Sequence, residues 1–311
     1  MNVLLWHVHG SYTTAFVQGA HTYLVPVLPG RPPSARGKPA GWGWPESVIE
    51  VTPEEAREHE IDVVVLQRPE ELAGGATAFL GREPGIGVPA IYLEHSTPQG
   101  RVAEMQHPAA DRSDLLVVHV TQFNALFWDC GSTSTRVIEH GIPDPGYRYS
   151  GVLERAICLI NEPARRTRVT GTDLVAQMRR RIPLSLYGIN SEAAGGDGEL
   201  QPAERFDDLA RHRVYFHPYR WTSLGLSLIE AMQVGMPVVA LATTEAPAAI
   251  PAGAGVVSND LVELERGLRS YLAEPEAATA AGRVARAAAL ERYGLDRFLA
   301  DWDAALHEVA A

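Results

Sequence analysis

The chain has 311 residues, a formal net charge of −11 and 46% hydrophobic residues, which is room for two domains of ordinary size, each with its own core. So acidic a balance argues against a nucleic-acid or anionic-membrane binder, because phosphate-rich partners need a basic face. Its two cysteines, Cys130 and Cys158, give neither a disulfide framework nor metal-ligand spacing and suit a reducing compartment. With no long uncharged apolar run and no signal-peptide pattern before the first strand, a cytoplasmic protein without a membrane span is expected.

In chain order, short apolar runs at residues 3–8, 61–67, 90–94, 115–120 and 136–139 read as buried strands of a parallel sheet. His9-Gly10-Ser11-Tyr12 leaves the first of them as a Gly-containing turn. Residues 31–45 are rich in Pro and Gly and hold Lys38, Trp42 and Trp44 without periodicity, which reads as a mobile surface loop. Residues 30–38 fail as a phosphate loop: Pro32 stands where a Gly is required and Pro39 where the Ser/Thr metal ligand belongs. His95 ends the run 89–98 at a strand's carboxyl end, where α/β active sites sit, although a loop histidine bonded to backbone has the same signature. His140 is a weaker candidate.

The turn-rich stretch 141–146 reads as a linker. A second strand series follows at 156–160, 184–187, 214–216, 238–242 and 255–257, with helical patterns at 172–180, 205–212 and 261–272. Ala-rich amphipathic stretches cover 276–290 and 295–309. Alternating strands and helices imply α/β domains with ligands at the carboxyl ends of the strands.

The richest segment is 217–240. Leu224, Leu228 and Met232 recur every four residues with Ile229 beside them, so a helix is expected from Leu224. Thr222 and Ser223 offer N-cap oxygens, Gly235 suits the left-handed C-terminal position, and Pro237 forbids continuation. Free amides and the positive dipole end at the helix start form a seat for a diphosphate, and Gly225 would let a ligand approach the backbone.

This segment resembles the donor-site motif of GT-B glycosyltransferases, in particular the retaining family 4, with a divergent Glu-x7-Glu motif. Gly225, Glu230, Ala231, Met232, Gly235, Pro237, Val238 and Val239 fall on the family's positions, while Thr222 replaces the first Glu. The resemblance implies an α/β GT-B fold: two Rossmann-like domains with parallel sheets facing a central cleft. Residues 1–146 would form the acceptor domain and 147–294 the nucleotide-sugar donor domain, with 295–311 crossing back to the first. It implies transfer of a sugar from a nucleotide-diphosphate sugar to an unknown hydroxyl acceptor, with retention, no metal and no cofactor beyond the donor substrate. Partners would be those two small molecules, not nucleic acid. A GT-B-like binding protein that has lost turnover and a sugar-nucleotide epimerase are the alternatives, and the oligomeric state stays open.

Site residues follow from the same resemblance. His95 is expected to hydrogen-bond the donor sugar or the reacting centre. Glu230 would accept both ribose hydroxyls, against a reading in which Ser227 and Glu230 form a capping box. Thr222, Ser223, Leu224 and Gly225 would line the donor. Residues 161–171 depart from the family, with Glu162 for an Arg and Thr170 for a Lys, yet Arg165, Arg166 and Arg168 lie at the correct strand end; Arg165 and Arg168 are favoured for the diphosphate over a solvated charged loop. Gly10 would border the acceptor and donor phosphate, Gly188 the nucleobase, and the loop 31–45 would alternatively be an acceptor lid whose tryptophans stack on a sugar or aglycone. Asp301-Trp302-Asp303 spells a metal-binding carboxylate pair, but residues two apart on a helix face different directions.

Overall fold

The computed structural model describes residues 1–201 and 204–311. They form two compact units, one of Met1–Ile142 with Leu295–Ala311, the other of Pro143–Gly294.

Unit 1 has seven parallel strands, β1 (Asn2–Leu5), β2 (Thr22–Pro26), β3 (Val48–Val51), β4 (Val63–Leu66), β5 (Ala90–Glu94), β6 (Leu116–His119) and β7 (Ser134–Val137), in the order β3-β2-β1-β4-β5-β6-β7. Around them run α1 (Gly10–Phe16), α2 (Pro53–Glu58), α3 (Ala76–Leu80) and α4 (Gln122–Phe127). Central strands are apolar on both sides because both faces are covered: all four residues of β4 are fully buried. Two strands, β2 and β3, escape the sequence reading. β2 ends on a proline, and β3 is an edge strand whose Ile49 is exposed and whose Glu50 is partly so, which breaks the apolar run.

Unit 2 holds β8 (Leu153–Leu159), β9 (Leu184–Tyr187), β10 (His212–His217), β11 (Val238–Leu241) and β12 (Gly255–Ser258), all parallel in the order β12-β11-β10-β8-β9. Its helices are α5 (Pro163–Thr170), α6 (Thr172–Arg179), α7 (Arg205–Arg211), α8 (Leu226–Val234), α9 (Ala246–Ala249), α10 (Leu261–Ala273) and α11 (Pro275–Tyr293). The alanines of α11 have a packing purpose. Ala278, Ala281, Ala285 and Ala289 are buried, and small side chains let α11 lie close against α8.

The last helix, α12 (Leu295–Ala310), belongs to unit 1. Its apolar face buries Phe298, Trp302, Ala305 and Leu306. Trp302 Nε1 donates to the Tyr12 hydroxyl (2.9 Å), and its ring meets Phe16 edge-on. Asp301 pairs with Arg297 while Asp303 faces His21, so the two carboxylates of the Asp-Trp-Asp triplet do turn to different partners. Among the described residues no helix is long and apolar enough to cross a membrane. Trp302→Ala should cost about 3–5 kcal/mol, the range for emptying a buried aromatic site, and urea unfolding of the variant measures it.

Candidate functional site

In an open parallel sheet, ligands sit outside the carboxyl ends of the strands where the order reverses. In unit 2 that point lies between β8 and β10, and the loops leaving these strands touch. Gly171 has φ +76°, and a Cβ there would overlap the Pro218 carbonyl. Gly188, expected near a nucleobase, has φ +143°, and a Cβ there would strike the Ile160 carbonyl; backbone contact between the ends of β8 and β9 thus already requires glycine. Side chains complete the lacing. Ile189 N donates to Asn161 Oδ1 (3.0 Å) and Asn190 Nδ2 to Glu162 Oε1 (2.6 Å). The Tyr219 hydroxyl donates to the Leu159 carbonyl (2.9 Å), while Thr243 Oγ1 donates to the carbonyl of Tyr219 (2.6 Å).

The stretch 161–171, for which a solvated charged loop was the alternative reading, is mostly the helix α5, begun by Pro163 and kinked at Thr167 (φ +23°, ψ −97°). Proline at the first helical turn has its φ set for a helix and no amide to leave unpaired, a signal outweighed in the sequence by the run of charges. The three arginines then separate. Arg168 pairs with Asp173 (3.2 Å), which Arg220 also grips through two bonds (2.6 and 2.9 Å). Arg165 is exposed and Arg166 half-buried, and neither has an ion pair among the described residues. Arg168 is thus engaged locally, leaving Arg165 and Arg166 as the available cations.

The helix expected from Leu224 starts two residues later. Gly225 is the N-cap of α8 (φ −70°, ψ 125°) with no side-chain cap, so Thr222 and Ser223 are loop residues and not caps. The reason is upstream anchoring. Arg220 N and Trp221 N both donate to the Val169 carbonyl (2.9 and 3.2 Å), and Leu224 is already buried, so its place in the four-residue apolar stride reflects packing before the helix begins. Gly235 takes the left-handed C-terminal position at φ +99°, as expected. Ser227 Oγ accepts from the Tyr215 hydroxyl (2.8 Å), and with Gly225 as N-cap there is no Ser227–Glu230 capping box.

Glu230 lies in the second turn of α8, 4% exposed, with Oε1 accepting from Arg205 Nη2 at 2.6 Å. Arg205 opens α7 and rests over the Phe206 ring. No local pattern links residues 25 positions apart, so the sequence carries no sign of this partner. His217, at the end of β10, was likewise missed. It is 1% exposed and stacks on Tyr219 at 4.6 Å. Its Nδ1 has no hydrogen-bond partner among the described residues. Its Cε1 lies 3.0 Å from where a Cβ of Gly225 would stand, so the side-chain space at Gly225 borders His217. A separate groove lined by Val256, Gly267, Tyr271, Ala281 and Val284 runs along α10 and α11 and includes none of these residues.

In unit 1 the order reverses between β1 and β4. Gln67, just after β4, donates from Nε2 to the Trp6 carbonyl (2.6 Å), so its amide oxygen is the acceptor facing His95 Nε2 (3.1 Å). That network places the proton of neutral His95 on Nε2 and leaves Nδ1 as the acceptor nitrogen. His95 is half-buried, with ring centroids 4.1 Å from His9 and 4.6 Å from Tyr12. Burial first, then the neighbouring His9 and His140, hold its pKa well below the usual histidine value. His140 is buried with its ring 5.7 Å from Tyr12. One residue before His95, Glu94 accepts from Ser96 N (2.6 Å) and faces His107 Nε2 (3.1 Å), while Ala109 N donates to His107 Nδ1 (3.0 Å). Gln67 therefore holds His95, while Glu94 and His107 brace the adjoining Ser96 backbone; residue type and spacing gave no hint of them. Gly10 is the first residue of α1, and a Cβ on it would stand 2.5 Å from the Trp42 ring.

Among the described residues no group of three or more His, Cys, Asp or Glu side chains is placed to hold a metal ion.

Burial pushes His217 down to about 3 and His119 down to about 4. Both lie below the unfolded value, so between pH 6.5 and about 4 the unfolded chain takes up protons that the folded chain refuses. Stability is full above pH 6.5 and falls with pH by about 1.4 kcal/mol per pH unit for each such histidine. Urea titrations at pH 7, 6 and 5 should show this slope, and His217→Phe should remove one proton's share of it.

Residues 201–288 match the model of the family described as glycosyl transferases group 1. No curated protein sequence matches the chain. Solved structures do, at low identity. Sucrose-phosphate synthase from Thermosynechococcus elongatus is 13% identical with a TM-score of 0.71, covering 99% of both chains. Anabaena HepE, solved in complex with UDP, is 16% identical with a TM-score of 0.70, covering 99% of this chain and 100% of its own. TarM, known from S. aureus, is 12% identical with a TM-score of 0.64 over 78% of this chain, which spans only 54% of TarM. Both sheets are parallel and each is layered with helices, as in that fold. Residues 201–288 are thus similar to glycosyl transferases group 1, a family of enzymes, in a chain of GT-B fold.

Proposed function

We propose that the chain moves a sugar from a nucleotide-diphosphate sugar to an acceptor hydroxyl, with retention and without a protein-held metal. The observation that carries this reading is Glu230: a buried carboxylate, held at 2.6 Å by Arg205, in the helix that follows the β8/β10 reversal and inside the matched segment. Two ribose hydroxyls satisfy one carboxylate through charge-assisted bonds, and Arg205 holds that carboxylate in place. In the proposed complex the loop of Thr222, Ser223, Leu224 and Gly225 and the first amides of α8 face the diphosphate. Arg165 and Arg166 supply positive charge there, Arg166 replacing Arg168 because Arg168 is committed to Asp173. The turn at Gly188 borders the nucleobase.

Catalysis then rests on positioning and on stabilising the departing diphosphate. The bond from the sugar's anomeric carbon to the diphosphate breaks and one to the acceptor oxygen forms, the acceptor's proton leaving with the diphosphate. His95 is the proposed catalytic residue of unit 1. Neutral, with Nε2 bound to Gln67, it offers Nδ1 as an acceptor for a sugar hydroxyl. Thr222, a hydroxyl where the family has a carboxylate, grips the sugar less strongly. The acidic surface and two buried, unpaired cysteines support a cytoplasmic setting.

HepE has been solved with UDP-glucose, and pneumococcal GtfA with UDP and GlcNAc, which makes UDP-sugars the first donors to test beside GDP- and dTDP-sugars. Glu230→Gln keeps a bond to Arg205 but removes the charge, so donor affinity in calorimetry should fall roughly 10- to 100-fold, the worth of a hydrogen bond to a charged group, with circular dichroism unchanged. Unaltered affinity sinks the assignment. Donor binding with no release of nucleotide to any acceptor would favour a binding protein without turnover.

A further inference from the structure

The loop 31–45 is not loose in the structure. Arg31, at φ +49°, forks onto Glu50 with bonds of 2.7 and 2.9 Å, and the same carboxylate accepts from Lys38 N at 2.7 Å. Lys38 Nζ donates to the Val48 carbonyl (2.8 Å), Arg68 to the carbonyls of Pro33 and Ser34 (2.9 and 3.2 Å), and His7 Nδ1 to that of Gly37 (3.1 Å). Its two tryptophans then differ. Trp44 is an anchor: Nε1 donates to Thr14 Oγ1 (2.8 Å) and its ring meets His7 at 5.0 Å. Trp42 lays its six-membered ring on Gly10 and remains 36% exposed.

We propose that Trp42 is a stacking platform for the ring of a pyranoside acceptor. Between the anchored Lys38 and Trp44, the Trp42 indole keeps apolar surface in water. Because the loop is already ordered, a ligand binding there loses little further conformational entropy. Its neighbourhood selects the ligand. The Trp42 ring lies 6.5 Å from His7, and Gly10 follows His9, whose ring lies 4.1 Å from His95, so the aromatic surface rests on the segment that carries imidazole hydrogen-bonding groups. A pyranose has the matching halves, an apolar face of C–H groups and a rim of hydroxyls, whereas an acyclic polyol presents no flat face. Gly10, expected beside the acceptor, has a defined part in this: any side chain there displaces Trp42.

The inference rests on the glycosyl-transfer reading but is separable from it. With the full chain and methyl α-glucopyranoside as probe, saturation-transfer NMR should show contact from aromatic protons to the sugar ring, lost in Trp42→Ala and retained in Trp42→Phe. In transfer assays with the donor found by calorimetry, Trp42→Ala should raise KM for the pyranoside about tenfold, with Phe restoring most of it, against little change for glycerol as acceptor. Equal NMR signal and KM in wild type and Trp42→Ala overturns the platform, as does no pyranoside signal in the wild type or an equal loss with glycerol. A Trp42-dependent pyranoside signal in a chain that binds no nucleotide sugar would leave the platform standing and remove the transferase reading.

Discussion

The α5–α6 junction meets the end of β10, and the end of β9 meets that of β8, so closely that two backbone positions have no room for a Cβ, Gly171 against Pro218 and Gly188 against Ile160, and the proposed donor seat is built on those contacts. Positive φ at both makes glycine the low-strain choice, and the contacts bring three loops into one layer. Tyr219, Thr243 and the Arg220–Asp173 pair then fix the loop after β10 on both sides. With that loop anchored, α8 begins at Leu226 and carries Glu230 to its buried position beside Arg205. A buried carboxylate without its guanidinium would face several kcal/mol of desolvation, so the pair makes structural and chemical sense as one unit.

Unit 1 holds its candidate histidine by a hydrogen bond with the Gln67 side chain, just after the neighbouring strand β4. Around His95 the hydrogen bonds run from the Trp6 carbonyl through the Gln67 amide to Nε2, and behind it from Ser96 N and His107 to Glu94. The Gln67 acceptor fixes one tautomer, and burial with the neighbouring His9 and His140 favours the uncharged imidazole. A neutral histidine suits positioning of a hydroxyl better than acid catalysis near pH 7.

Much of this architecture was readable in the chain, for physical reasons that also mark where reading stopped. Parallel strands buried on both faces produce apolar runs such as Val63 to Leu66, and the long amphipathic helices α10 and α12 show their period plainly. Edge strand β3, with Ile49 and Glu50 partly in water, does not. The capping error at Thr222 and Ser223 came from an apolar stride that continues one turn beyond the helix, because Leu224 is buried by the loop. Glu230 was named as a candidate because it sits in a motif. Arg205, Gln67 and His107 were not, since their meaning lies in contacts across 25, 28 and 13 residues that no local spacing encodes.

The central claim, that the seat built on the β8 and β10 loops takes the nucleotide diphosphate, is tested most directly by hydrogen exchange of the full chain with and without a saturating UDP-sugar. Slowed exchange in segments 164–172 and 218–231, with the groove along α10 and α11 unchanged, is the expected result. Binding that leaves those segments unaltered, or protects the groove instead, would contradict the account.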